Sequence, residues 1–141
     1  MEKQYSISKL LNVFFTRELS ARLGPSAPLI VTTVDPGFTV SELRRDVMGG
    51  QGAFLLVLES VFAYNAEAAS RRPLYAALGL HNTPDALRGR FVNNSLTIEE
   101  SSDFVESAEG MQIQKEIWRE TMSILGKLDP RVLATADRFL S

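Results

Sequence analysis

The hydrophobic and polar positions divide the chain into helical stretches separated by one strongly apolar, β-branched run. From Gln4 to Leu23, the residues Ile7, Leu10, Leu11, Phe14, Phe15, Leu19 and Leu23 recur at helical spacing, with Lys9, Asn12, Arg17, Glu18 and Arg22 on much of the remaining surface. That period predicts an amphipathic helix. Gly24-Pro25 ends it, because glycine suits a left-handed cap and proline cannot continue the hydrogen-bond ladder. Leu29 to Val34 (LIVTTV) is short and almost continuously apolar. Such a run predicts a strand covered on both faces, as in a parallel sheet.

After Pro36-Gly37 comes a short helical pattern at Ser41 to Val47, and then Gly49-Gly50-Gln51-Gly52. A second long helical pattern covers Ala53 to about Leu78, with an interruption expected near Arg72-Pro73, since proline disfavours helix at the preceding residue. Gly79 to Gly89 reads as a polar connection, Arg90 to Asn94 as a short strand, and Thr97 to Glu106 as loop. Gly110 to Lys127 carries Met111, Ile113, Ile117, Trp118, Met122, Ile124 and Leu125 in helical register, which makes Trp118 a packing residue. A last short helix falls within Pro130 to Leu140.

Helix, tight connection and buried strand in that order is the rhythm of an α/β protein. About two parallel strands with four to five helices leave apolar helix faces without a sheet to cover them. A strand as apolar as Leu29 to Val34 also expects a hydrogen-bonded neighbour on each side, and the sequence supplies at most one. The chain therefore reads as part of a larger fold.

Composition narrows the function classes. At 141 residues, with 45% apolar and 23% charged residues, the chain has the make-up of one soluble domain. A net charge of −2 gives no basic stripe for nucleic acid. There is no cysteine, which removes disulfides, thiolate chemistry and zinc–thiolate sites and fits a reducing, cytoplasmic compartment. The first residues lead into a helix rather than a secretory h-region, and the most apolar stretch, Ala53 to Ala63, is too short to span a bilayer and carries Glu59. Burial of that stretch is expected, though a loose peripheral attachment to a membrane is also compatible with it. His81 is the only histidine, which rules out a histidine triad or a histidine metal cluster. Glu99, Glu100, Asp103 and Glu106 read as a solvated acidic loop rather than a cation site, so no metal is expected.

Candidate chemistry sits at the start of the chain. Tyr5 and Lys9 are four apart and share one helix face. A phenol ordinarily titrates near 10, too high for an efficient base near neutrality, and an adjacent ammonium favours the phenolate. Such a pair suits proton exchange with an alcohol or carbonyl oxygen. The lysine's three donors on a long stem also suit a sugar diol. Pro36-Gly37 follows the carboxyl end of the predicted strand, where ligands sit in open α/β sheets. Glycine there permits close backbone approach. Ser41 adds a hydroxyl beyond it. Ser6 and Ser8 point to other faces of the tyrosine's helix.

A Tyr-x-x-x-Lys helix, a break, a buried strand, Pro-Gly and a hydroxyl residue before Glu42-Leu43 resembles the short-chain dehydrogenase/reductase superfamily. The run "YSISKLLNVFFTREL … IVTTVDPGFTVSEL" is similar to its retinol-dehydrogenase-like and fungal branch, and "SSDFVESAEGMQIQKEIWRETMSIL" to its C-terminal segment. The resemblance covers the C-terminal half of a family member. It implies a partial Rossmann-like three-layer fold over residues 1–141, belonging to an NAD- or NADP-dependent oxidoreductase of small alcohols or carbonyls. By position, Tyr5 matches the catalytic acid/base, and Lys9 the residue that binds the nicotinamide ribose and lowers the tyrosine pKa. Pro36 and Gly37 match the loop against the nicotinamide. Ser41 stands where the family usually has a threonine contacting the carboxamide. Arg44 to about Tyr75 corresponds to the variable substrate lid.

The family's Gly-x-x-x-Gly-x-Gly turn, which admits the pyrophosphate, is not in this sequence, and Gly49-Gly50-Gln51-Gly52 is no substitute because it follows no strand. The catalytic serine and active-site asparagine would lie before Met1. The chain is therefore expected to be inactive by itself. Two readings stay open: the C-terminal part of an oxidoreductase, or a non-catalytic product of a truncated dehydrogenase gene that binds another protein. A homo-oligomer is one expected partner arrangement, and pairing with a separately supplied N-terminal half is the other.

Overall fold

The computed structural model describes residues 2–25, 27–37, 39, 63–79, 83–93, 95–99 and 101–140. The expected short helix at Ser41 to Val47, the triple-glycine run, most of the apolar stretch from Ala53, and His81 lie outside them.

The first helix, α1, runs Glu2–Leu23. It ends where expected, at Gly24, which adopts φ +70°. The strand β1 is Thr33–Val34, and its parallel pairing extends beyond the regular part. Gly89 N–H donates to Val31 O at 2.8 Å, Thr33 N–H to Arg90 O at 3.0 Å, and Asp35 N–H to Val92 O at 2.8 Å. The partner, β2, is Phe91–Val92 within the predicted stretch. Between them lies α2, Ala66–Leu78, so β1, α2 and β2 form a parallel β-α-β crossover. Both α1 and α2 pack against β1. The result is a mostly helical, partial α/β fold of Rossmann type, with two parallel strands and five α-helices among the described residues.

Several details depart from the pattern. A third strand, β3 (Ile98–Glu99), pairs antiparallel with β2 where loop was expected. Its turn is built by Asn93, whose Oδ1 accepts from Ser95 N–H at 2.9 Å and Thr97 N–H at 3.1 Å. Such short side-chain turns leave no periodic signal. The rest of the expected loop contains α3, Asp103–Glu106. Pro73 does not interrupt α2, although proline withholds a backbone donor there. The Arg72 guanidinium donates to Ala68 O at 2.7 Å beside it. The helix starts at Ala66 rather than continuing from upstream, because Asn65 caps it by accepting Ala68 N–H at 2.7 Å.

The long C-terminal helix is α4, Ala108–Leu128, capped by Ser107, and α5 is Arg131–Phe139. Gly126 lets α5 close on α4: a methyl group at Gly126 would lie 2.7 Å from Leu133 Cδ1.

Two packing centres result. Ala76, Leu87 and Val92 are buried in one, with Ile30, Val34, Tyr75 and Ile98 packed around them. Leu87 belongs to a 3₁₀ turn, Pro84–Leu87, inside the expected polar connection. The other joins α1 to α4. Phe15 stacks on Trp118 with centroids 5.4 Å apart, and Phe14 meets Phe104 edge-on at 6.2 Å. Trp118 is thus the packing residue its stripe implied. The strand run is less covered than predicted: Ile30 to Val34 are only half-buried and Leu29 is exposed. Within the described sheet β1 has a neighbour on one side, in the order β1-β2-β3. Full coverage needs a second.

Phe14 is 1% exposed, so Phe14→Ala should cost about 3 kcal/mol of unfolding free energy in urea titration. Leu128→Ala, at a site 77% exposed, should stay within about 0.5 kcal/mol.

Candidate functional site

Residues 3 to 9 of α1 are all exposed, in contrast to the far end of the same helix. Tyr5 is 62% exposed, and the Lys9 ammonium sits over its ring, 5.3 Å from the centroid. The i, i+4 spacing thus brings the phenol and the cation together on an open face. Ser8 turns its hydroxyl back to donate to Tyr5 O at 2.7 Å, which leaves it tied to the helix backbone.

Pro36 and Gly37 form the turn directly after the β1 pairing. Gly37 has φ +75°, a conformation that favours glycine, and its N–H donates to Asp35 Oδ1 at 2.8 Å. Thr39 Oγ1 donates to Gly37 O at 3.2 Å. Asp35 therefore builds the turn. The Asp-Pro-Gly spelling carried that signal, because an aspartate readily bonds the backbone N–H two residues on. Ser41 lies outside the described residues.

The opposite half of α1 holds the helix in place through polar groups that the periodicity placed on the surface. Glu18 is 5% exposed and Gln114 9%. Gln114 Nε2 donates to Glu18 Oε2 at 2.8 Å, and Arg22 Nε to Glu18 Oε1 at 2.9 Å. Arg17 donates from Nε to Gln114 Oε1 at 3.1 Å and grips both oxygens of Glu106 through its two terminal nitrogens. A buried carboxylate is tolerable only when so satisfied. The only sequence hint was a polar residue, Gln114, within the α4 stripe. Glu106, considered above as part of an acidic cluster, is engaged by Arg17.

With the β-α-β crossover behind a Tyr–Lys helix, the chain is an α/β protein of Rossmann type. Similarity to known proteins narrows that class. Short-chain dehydrogenase anuD of Penicillium roqueforti is 32% identical over 139 residues, 94% of this chain and 35% of that protein. Short chain dehydrogenase macD of Penicillium terrestre is 31% identical over 126 residues, 89% of this chain and 37% of that protein. Short-chain dehydrogenase/reductase phmF of Phaeosphaeria nodorum is 30% identical over 134 residues, 93% of this chain and 37% of that protein. These curated relatives are fungal short-chain dehydrogenases/reductases, and the chain spans little more than a third of their length. No protein-family model matches it. No solved structure matches it either. Among the described residues no helix is long and apolar enough to cross a membrane.

The Arg17 hydrogen bonds hold the Glu106 carboxyl below its ordinary value of 4.5, against a smaller opposing effect of burial. A depressed carboxyl pKa adds stability above the unfolded value and loses it as pH falls through the folded one. Glu106 is 39% exposed, so solvent screening limits the contribution to about 1 kcal/mol or less. Urea unfolding should therefore show Glu106→Gln less stable than the parent at about pH 6.5, with the difference shrinking as pH falls below the ordinary carboxyl value of 4.5.

Proposed function

We propose that residues 1–141 are the C-terminal part of a Rossmann-type, NAD- or NADP-dependent oxidoreductase acting on a small alcohol or carbonyl compound, and that this part is inactive alone. The observation that carries the reading is the open Tyr5–Lys9 face on a helix that packs along β1. Heights along the two elements support it. Gly89 pairs with Val31 and abuts Ser20, which sets a common starting level on strand and helix. From Ser20, Lys9 lies about 16 Å and Tyr5 about 22 Å along α1. From Val31, Asp35 lies about 13 Å along the strand, with Gly37 just beyond. The helix leads into the strand through a short connection and so folds back along it. This brings the Tyr–Lys end to the level of the Pro36-Gly37 turn.

The residues fit one end of a dinucleotide. Lys9 offers an exposed ammonium for the ribose hydroxyls, and the bare left-handed backbone at Gly37 admits a flat ring beside Pro36; the family pattern assigns Ser41 to the carboxamide. The sequence holds no Gly-x-x-x-Gly-x-Gly turn for the pyrophosphate. When bound, the nicotinamide gives or takes the hydride. Tyr5 gives a proton to the carbonyl oxygen in reduction, or takes one from the alcohol in oxidation.

A second reading has its own observation. Within the described sheet β1 keeps an open edge, and Ile7 and Leu11 on α1 are 56% and 41% exposed. These surfaces also suit a non-catalytic chain that binds another protein.

Calorimetry of the purified chain with NAD⁺, NADH, NADP⁺ and NADPH should give no stoichiometric binding tighter than about 1 mM. Tight binding would contradict the proposal. In a chimera joining residues 1–141 to the remaining two-thirds of a curated relative, Tyr5→Phe should lower kcat on that relative's substrate by at least about 100-fold. An unchanged rate in that variant, or a folded chimera with no turnover, would favour the binding role.

A further inference from the structure

Alternation along β1 turns one row of backbone groups away from β2. Val31, Thr33 and Asp35 face β2: Val31 O accepts from Gly89 N–H, and the Thr33 and Asp35 amides donate to Arg90 O and Val92 O. The same phase continues upstream, where Arg88 donates to Leu29 O at 3.0 Å and to Ala27 O at 2.8 Å. Strand geometry therefore directs the N–H and C=O of Ile30, Thr32 and Val34 to the opposite edge. Among the described residues no strand pairs along that edge, and no backbone group bonds these three.

Positions 28 and 36 share the outward phase, and both are proline. Proline has no amide donor, so the donor row stops at Pro28 and at Pro36, each four residues from Thr32. The row is symmetric about Thr32. Turned end for end, it offers a donor wherever it needs one and an acceptor wherever it needs one. Ile30 to Val34 are all β-branched, and no charged residue stands between Pro28 and Val34. Charges and bulges are the devices that keep exposed edges from pairing, and this edge has neither charge nor bulge. Leu29, next to the row, is 55% exposed.

We propose that this edge pairs with a second copy of the chain, β1 lying antiparallel to β1 about a twofold axis at Thr32. Thr32 then faces Thr32 of the second copy, and Ile30 faces Val34. Each facing pair exchanges two hydrogen bonds, about six in all. The prolines end the ladder on both sides, and each row is used up by the other, so the contact is isologous and closes at two copies. It is independent of the Tyr5 reading. An edge held by a second copy is closed to any other strand, so the two associations exclude each other.

Analytical ultracentrifugation of the intact chain tests it. A species of twice the chain mass is expected at about 100 µM, dissociating on dilution. Thr32→Pro removes an outward donor at the axis and no backbone bond to β2, so it should weaken the dimer at least about tenfold while keeping the parent's circular dichroism. Thr32→Val, which loses only the hydroxyl that donates to Arg90 O, should leave the dimer intact. Should Thr32→Pro fail to fold, Thr32→Lys carries the same expectation, because it sets like charges opposite each other at the axis. The chain has no cysteine, so Thr32→Cys should oxidise to a disulfide-linked dimer. Leu29→Cys, about 20 Å from its copy in this register, should not. A monomer at about 100 µM, species larger than a dimer, or a dimer indifferent to the folded Thr32→Pro and Thr32→Lys variants would overturn the proposal. So would a monomer that associates only with the N-terminal two-thirds of a curated relative.

Discussion

The contact between α1 and α4 is the constraint on which the other features depend. It combines an aromatic stack, Phe15 on Trp118, with a chain of charge-assisted hydrogen bonds running from Glu106 through Arg17 and Gln114 to Glu18 and Arg22. The stack supplies apolar burial, and the polar chain fixes one register, because sliding either helix by a residue would take the Gln114 donor away from Glu18 Oε2. Arg22 also lies over the Trp118 ring, 5.1 Å from its centroid, so the same indole takes a ring on one contact and a cation on another.

Fixing the C-terminal half of α1 in this way leaves its N-terminal half projecting past the contact. Residues 3 to 9 are exposed, Ile7 included, and so is Leu11. An apolar face in water is unfavourable by itself. It is consistent with a chain that spans about a third of its relatives' length and leaves β1 half-buried at the edge of the described sheet. The pair proposed to move protons thus stands on the part of the helix the described residues support least, while the anchoring groups hold its other end.

Much of this order was legible in the residues. The helices α1 and α4 are long enough for their apolar period to dominate, and the Asp35-Pro36-Gly37 spelling names a turn whose glycine takes a positive φ. The Tyr5–Lys9 contact follows from spacing alone. What escaped depends on tertiary partners. Periodicity assigns Glu18 to solvent, and only Gln114 and Arg22 make its burial tolerable. Leu87 enters the core from a turn too short to show a pattern, and β3 exists because Asn93 folds the chain back on β2. Pro73 stays inside a helix that the Asn65 cap and packing against β1 hold together.

Residue-resolved hydrogen exchange, on the chain alone and with the N-terminal two-thirds of a curated relative added, tests this account most directly. The amides of residues 14–23 should be well protected in both states, and those of residues 5–11 should exchange much faster until the added segment covers them. Equal protection along all of α1 in the isolated chain would contradict the claim that its proton-handling end waits for structure supplied from elsewhere.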